Sequence, residues 1–350
     1  MNGEDGVVAT QYRFSFGPWN IHTGADPFGP PVRDPFTFAE KLGFYKTLGF
    51  DGVQFHDDDV VSDADAPWSQ QEREAGQVRK LLDDSGLTAE FVAPRIWEHP
   101  STIDGAITSN SADARSYTLD RSKRAVDIAK IVGCNNIVLW PAREGTYLRE
   151  AKDGALAVQR MVEWLNALLE HDREIRILGE MKPNEPMDQA YCPTTGHFIG
   201  LAYKTIAPER VGVLIESAHA ILAGLDPADE MAYALYHGKL WGVHLNDQNG
   251  LKFDEDKAFG AVDLRRAFNQ VRVLEKHGYG KNGEFVGLDV KAMRTQRREV
   301  STKHLRNSRA IFLRLVELAR SLDESAVERL IRERDYEELE MLIVQHLLGS

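Results

Sequence analysis

The stretch "IRILGEMKPNEP", residues 175–186, closes an apolar run with an acid and a base two positions apart. On a strand, side chains alternate with a period of two, so Glu180 and Lys182 share a face. A charge at the end of a buried run is costly unless it is paired or bound to an ion. Similar runs stand at 14–19, 52–57, 88–94 and 136–140 before it, and at 211–217, 240–247 and 285–291 after it. These eight read as strands. Helix-length amphipathic segments follow at 36–49, 69–84, 113–132, 152–171, 263–278 and 301–320. In "DLRRAFNQVRVLEKHG" (263–278), Leu264, Phe268, Val271 and Leu274 form a stripe that Gly278 ends. Strand–helix units in series, with no Pro/Gly/Ser linker between them, predict an α/β fold, a closed (β/α)8 TIM barrel over 1–320. Residues 321–350, containing "SAVERLIRERDYEELEMLIVQHLLGS", read as a short C-terminal helical extension. A doubly wound sheet usually carries a Gly-rich phosphate turn after its first strand, and none is present here.

Composition narrows the function. The 350 residues are 43% hydrophobic and 27% charged, enough for a large core, with a formal charge of −12. That charge disfavours nucleic acid, which wants clustered Lys and Arg, and it suits a carboxylate-rich cation site. Cys134 and Cys192 are the only cysteines, so no disulfide framework is expected and a reducing compartment follows. The acidic start "MNGEDGVVATQY" has no apolar signal-like region, and no apolar run nears the roughly 18 residues of a membrane span. The expectation is a cytoplasmic enzyme acting on a small molecule, without nucleic-acid or membrane partners.

In a barrel, the strand C-termini open onto one mouth. The last four strands end in Glu180, Glu216, His244 and Asp289, each after an apolar run. Any one alone reads equally well as a surface or capping residue, but four on consecutive strands call for a shared purpose. Three carboxylates and one imidazole suit a divalent cation, and the nitrogen tilts the choice from Mg²⁺ toward Mn²⁺, Co²⁺ or Zn²⁺. A second ion fits if Glu216 bridges to His219, in the loop past its strand, and to Asp254 and Asp256 in "KFDEDKAFG". In "QFHDDDVV", His56 ends the second strand and Asp59 is placed to orient its imidazole, while Asp57 and Asp58 read as helix-capping or surface charge. Trp19, Trp97 and Trp140, at or just past strand ends, read as core or as an apolar wall for a polar ligand.

The segments "FHDDD" (55–59), "TSN" (108–110), "VLWPAREG" (138–145), "EMKPNEP" (180–186), "HLNDQNGLKFDEDKAFG" (244–260) and "LDVKAMRT" (288–295) together resemble the xylose isomerase family, over about residues 12–320. The resemblance implies a metal-dependent aldose–ketose isomerase that opens a sugar such as D-xylose and moves hydride between C2 and C1. It implies two divalent ions per subunit, Mn²⁺, Mg²⁺ or Co²⁺, held by the two ligand sets above. His56, oriented by Asp59, would assist ring opening, and Lys182 would hydrogen-bond the substrate's O1. Trp19 and Trp140 would line the wall, with Trp97 at the family's pocket phenylalanine. Phe28, in "ADPFGPPVR", resembles a phenylalanine that family members insert into a neighbour's site, implying a homo-oligomer, dimer or tetramer. His244 stands where typical members have aspartate, and in this it resembles the rhamnose isomerase and ketose epimerase branches. The alternative is therefore a ketose 3-epimerase or an isomerase of another sugar.

Overall fold

The computed structural model describes residues 12–26 and 28–349. Its strands are β1 (Arg13–Phe16), β2 (Gly52–His56), β3 (Thr88–Ala93), β4 (Asn136–Leu139), β5 (Gly145–Thr146), β6 (Arg176–Glu180), β7 (Gln189–Ala190), β8 (Val211–Glu216), β9 (Leu240–Leu245) and β10 (Phe285–Leu288). Eight of them close a parallel barrel in the order β1-β10-β9-β8-β6-β4-β3-β2, with β2 paired back to β1. The two-residue strands β5 and β7 form an antiparallel ribbon between the loops that leave β4 and β6. The barrel expected from the strand–helix repeat is the barrel observed.

Around it lie α1 (Phe38–Leu48), α2 (Asp57–Val60), α3 (Trp68–Ser85), α4 (Ala112–Val132), α5 (Gly154–His171) and α6 (Thr195–Ala202). Then come α7 (Ser217–Leu222), α8 (Pro227–Tyr236), α9 (Leu264–His277), α10 (Lys303–Ser321), α11 (Glu324–Glu333) and α12 (Tyr336–Leu348). Local chemistry sets their ends. Thr37 and Glu40 form a reciprocal capping box on α1, Asp263 caps α9, and Gly278 closes α9 at φ 67°. The stripe read on α9 is buried at Phe268, Val271 and Leu274, while Leu264 is exposed.

Three corrections follow. The first strand stops at Phe16 rather than 19, because Pro18 opens a 3₁₀ turn over Pro18–Asn20 and proline has no N–H for a ladder. His219 sits in α7, not in a loop, since the chain turns helical directly after Glu216. The segments α6 and α8 went unread; α6 is short and buries Phe198, Ile199, Leu201 and Ala202, too broad a face to show as a stripe. Phe198 packs so closely on β6 that a Cβ at Gly179 would lie 2.4 Å from its ring. Only glycine admits that approach.

The C-terminal α11 and α12 return to the barrel helices. Arg272 of α9 pairs with Glu324, Arg265 with Glu340, and Val327 and Ile343 join the main core. Among the described residues, no helix is long and apolar enough to cross a membrane.

Strand parity carries the fold into the site. Phe91, Val138, Leu178 and Leu214 form their own buried cluster, apart from the Val92, Ile137, Ile177 and Val213 set that joins the helix-packed core. Two residues on, Glu180 continues the series of Leu178 and Glu216 that of Leu214. His244 follows Gly242, whose missing Cβ would touch Leu178 and Leu214, and Asp289 follows Gly287, beside the His244 ring. The four polar side chains are thus the layer above an apolar one.

Candidate active site and cation centre

Glu180, Glu216, His244 and Asp289 each offer a ligand atom, and these atoms all lie within 4.8 Å of one another. Glu216, His219 and Asp254 form a second such group sharing Glu216. The sequence placed Asp256 with these; in the structure its carboxylate turns to Lys291 Nζ and to Asn246 Nδ2 at 3.3 Å, and it falls outside the group.

The donors fit a divalent cation. His244 Nδ1 lies 3.4 Å from Glu180 Oε1 and 3.7 Å from Glu216 Oε2, yet neither ring nitrogen makes a hydrogen bond. His219 Nδ1 and Asp254 Oδ1 are likewise buried without one. Orphaned buried donors and acceptors are expensive, and a cation coordinated by oxygen and imidazole nitrogen would satisfy them.

Electrostatics point the same way. Burial, then repulsion from Asp254, Asp289, Asp256 and Glu180, raises the Glu216 carboxyl well above its usual range. Burial opposes charge on Glu180 and His244 as well, but their mutual attraction wins: Glu180 is held below the carboxylate range and His244 rises to about 9. A ligating histidine must be neutral, so a bound cation would take the place of that proton.

Second partners fix these candidate ligands. Asp289 Oδ1 accepts from Trp19 Nε1 and Asn20 Nδ2, both at 2.9 Å. Asn246 Nδ2 donates to Glu216 Oε1 at 2.8 Å and to the Asp289 carbonyl at 3.0 Å, while its Oδ1 accepts from the Ala218 N–H. Neither asparagine was singled out from sequence, although Asn20 follows Trp19 and Asn246 lies one residue past β9. The sequence reads Trp19 as core or as an apolar wall; its indole N–H gives it a polar task too.

The mouth is a cavity of about 610 Å³ with the cation groups at its floor. Trp19, Trp97 and Trp140 all line it, and Trp97 meets Trp140 edge-on with centroids 4.6 Å apart. Lys182 reaches in from beyond β6, its Nζ 3.0 Å from Asp254 Oδ2, 2.8 Å from Glu185 Oε2 and 5.5 Å from the Trp140 ring centroid. Burial disfavours its charge, but Asp254 and then Glu185 hold its pKa above the ordinary value.

His56 lines the cavity against Trp19, and its Nδ1 is 3.2 Å from Asp59 Oδ2 and 2.7 Å from Arg95 Nη2. Asp57 is not surface charge: it is buried and grips Arg121 through both oxygens, at 2.7 and 2.9 Å. Phe28 is 80% exposed and touches Phe253, a residue at the cavity's edge, without lining the cavity itself.

The family model described as "Xylose isomerase-like TIM barrel" matches residues 42–311. Among solved structures, a D-tagatose 3-epimerase-like protein superposes with a TM-score of 0.62 at 15% identity, covering 87% of this chain and 98% of its own. A 3-keto-D-glucoside 4-epimerase from E. coli gives 0.62 at 15%, covering 87% and 99%. A xylose isomerase domain protein from Alicyclobacillus acidocaldarius gives 0.59 at 14%, covering 88% and 99%. At such identities the solved structures speak for the fold, and the family match over most of the chain speaks for descent: this chain belongs to the xylose isomerase-like TIM barrel family.

Proposed function

We propose that the barrel mouth is the active site of a cation-dependent sugar isomerase or epimerase. One observation carries this reading: four ligand atoms from β6, β8, β9 and the end of β10 converge within 4.8 Å under a tryptophan-lined cavity. When bound, a divalent ion supplies Lewis-acid polarisation of a carbonyl and its neighbouring hydroxyl. The chain's own groups supply the rest. Trp19, Trp97 and Trp140 pack on the sugar's apolar face and exclude water. Lys182, kept charged by Asp254 and Glu185, offers N–H donors to an oxygen that gains negative charge.

Two finer chemistries fit this frame. Epimerisation of a ketose removes a proton next to the carbonyl on one face and returns one on the other, which needs two carboxylates flanking the carbon. Glu180 and Asp289 come from β6 and from the end of β10, with β8 and β9 between them, and are the two carboxylates of the floor set farthest apart in the barrel order. His244 at β9 resembles the rhamnose isomerase branch as much as the ketose epimerase branch and does not choose between the two chemistries. Several similar solved proteins, however, are epimerases, including a D-psicose 3-epimerase. This support moves the reading toward epimerisation and away from the aldose–ketose isomerisation that the sequence resemblance implies. Isomerisation keeps two observations, the cationic Lys182 inside the cavity and the second ligand group around His219. A homo-oligomer belongs to the same proposal, since a neighbouring copy over the mouth would cover Phe28.

The deciding experiment incubates the chelated protein with pentoses and hexoses in ²H₂O, with Mg²⁺, Mn²⁺ or Co²⁺ restored. Solvent deuterium at C3 of the product supports epimerisation, and an aldose–ketose product without deuterium supports hydride transfer. Equal turnover without added ions, or no turnover of any sugar, overturns the proposal.

A further inference from the structure

The "HDDD" run does more than end a strand, because all three aspartates serve the pair His56 and Arg95. Asp57 Oδ1 accepts from the Arg95 backbone N–H at 2.9 Å, and Asp58 Oδ1 accepts from Arg95 Nε at 2.8 Å. Glu98 takes Arg95 Nη1 at 3.2 Å. So held, Arg95 presents Nη2 to His56 Nδ1 at 2.7 Å. A guanidinium has only donors, so the Nδ1 atom it meets must offer a lone pair. A proton on Nδ1 would set two N–H groups against each other at that distance.

Asp59 also approaches Nδ1, at 3.2 Å, which would favour a proton there. Two facts decide between the neighbours. The Arg95 contact is the shorter, and Asp59 Oδ2 already accepts the His56 backbone N–H at 2.9 Å. In the neutral ring the proton then sits on Nε2, which has no hydrogen-bond partner among the described residues and belongs to a side chain lining the cavity.

We propose that Arg95 is a positioning residue that holds His56 in its Nε2–H form, so that the imidazole meets a bound ligand as a fixed hydrogen-bond donor and not as a base. Such a donor suits an oxygen that can only accept, such as the ring oxygen of a cyclic sugar or a carbonyl oxygen. The inference rests on the functional reading above only in naming that oxygen a sugar's; the tautomer itself needs no substrate.

The test is a long-range ¹H–¹⁵N spectrum of the full chain labelled at histidine nitrogens, with the His56 signals assigned by their loss in His56→Gln. The wild type is expected to show a protonated Nε2 and a lone-pair Nδ1. Arg95→Met is expected to move the proton to Nδ1, facing Asp59, and Arg95→Lys, which keeps a donor, to restore the original pattern. A wild-type ring protonated on Nδ1, or on both nitrogens, overturns the proposal, as does an Arg95→Met spectrum unchanged from wild type. Should Arg95→Met fail to fold, the wild-type spectrum decides alone.

Discussion

Trp19 donates its indole N–H to Asp289 Oδ1 at 2.9 Å across 270 residues, tying the turn after β1 to a candidate ligand just beyond β10. The bond fixes the orientation of the carboxylate that would face a cation. Outer partners of this kind commonly change metal affinity by about 10- to 100-fold. Trp19→Phe keeps the ring wall and removes the donor. Its divalent-ion affinity should fall about ten-fold, read by competition with a chromophoric chelator. Affinity equal to wild type would separate Trp19 from the ion.

Cation binding should release a proton. His244 is protonated in the protein alone up to about pH 9, and ligation requires the neutral ring. Affinity should therefore rise as pH increases toward 9 and weaken as it falls. Adding Mn²⁺ to the chelated protein at about pH 7.5, in weak buffer, should acidify the solution. A pH-independent affinity would remove His244 from the ligand set.

Lys182→Met keeps the bulk of the side chain without its charge. Removing a donor aimed at developing negative charge costs about 10²-fold or more in turnover. Ion binding by Glu180, Glu216, His244 and Asp289 should persist, because Lys182 is not among those ligands. Wild-type-like turnover of a confirmed substrate would contradict its assigned role.

Acid should weaken the fold through His304. Burial, with the Arg33 guanidinium adding positive charge nearby, lowers its pKa from 6.5 to about 4 despite its Nε2 contact with the Asn20 carbonyl at 3.0 Å. The unfolded chain then binds more protons than the folded one between pH 4 and 6.5. The stabilisation is full above 6.5 and is lost as pH falls toward 4, by at most roughly 3 kcal/mol. His22, also lowered to about 4 chiefly by burial, acts in the same direction. Between about pH 7 and pH 5, the Tm of His304→Gln should fall less than that of wild type, by calorimetry. Parallel losses would assign the acid sensitivity elsewhere.

The barrel and the floor of its mouth were legible because they depend on short-range pattern. A period of two places Glu180 above Leu178 and Glu216 above Leu214 wherever those segments are strands. The stripe and terminal glycine of α9 were equally local. Helices α6 to α8 were not legible: they are short, and in α6 burial on a broad face erases the periodic signal.

Residue order alone thus determined the strand–helix repeat, the inward side of each strand and the polar residues that crown them. Only the tertiary structure decided their partners: Asp256 to Lys291, Asn20 and Trp19 to Asp289, and Arg95 to His56. The reason is geometric. Periodicity is a property of neighbouring backbone angles, whereas a hydrogen bond depends on the separation and angle of two groups that the chain brings together from 35 to 270 positions apart.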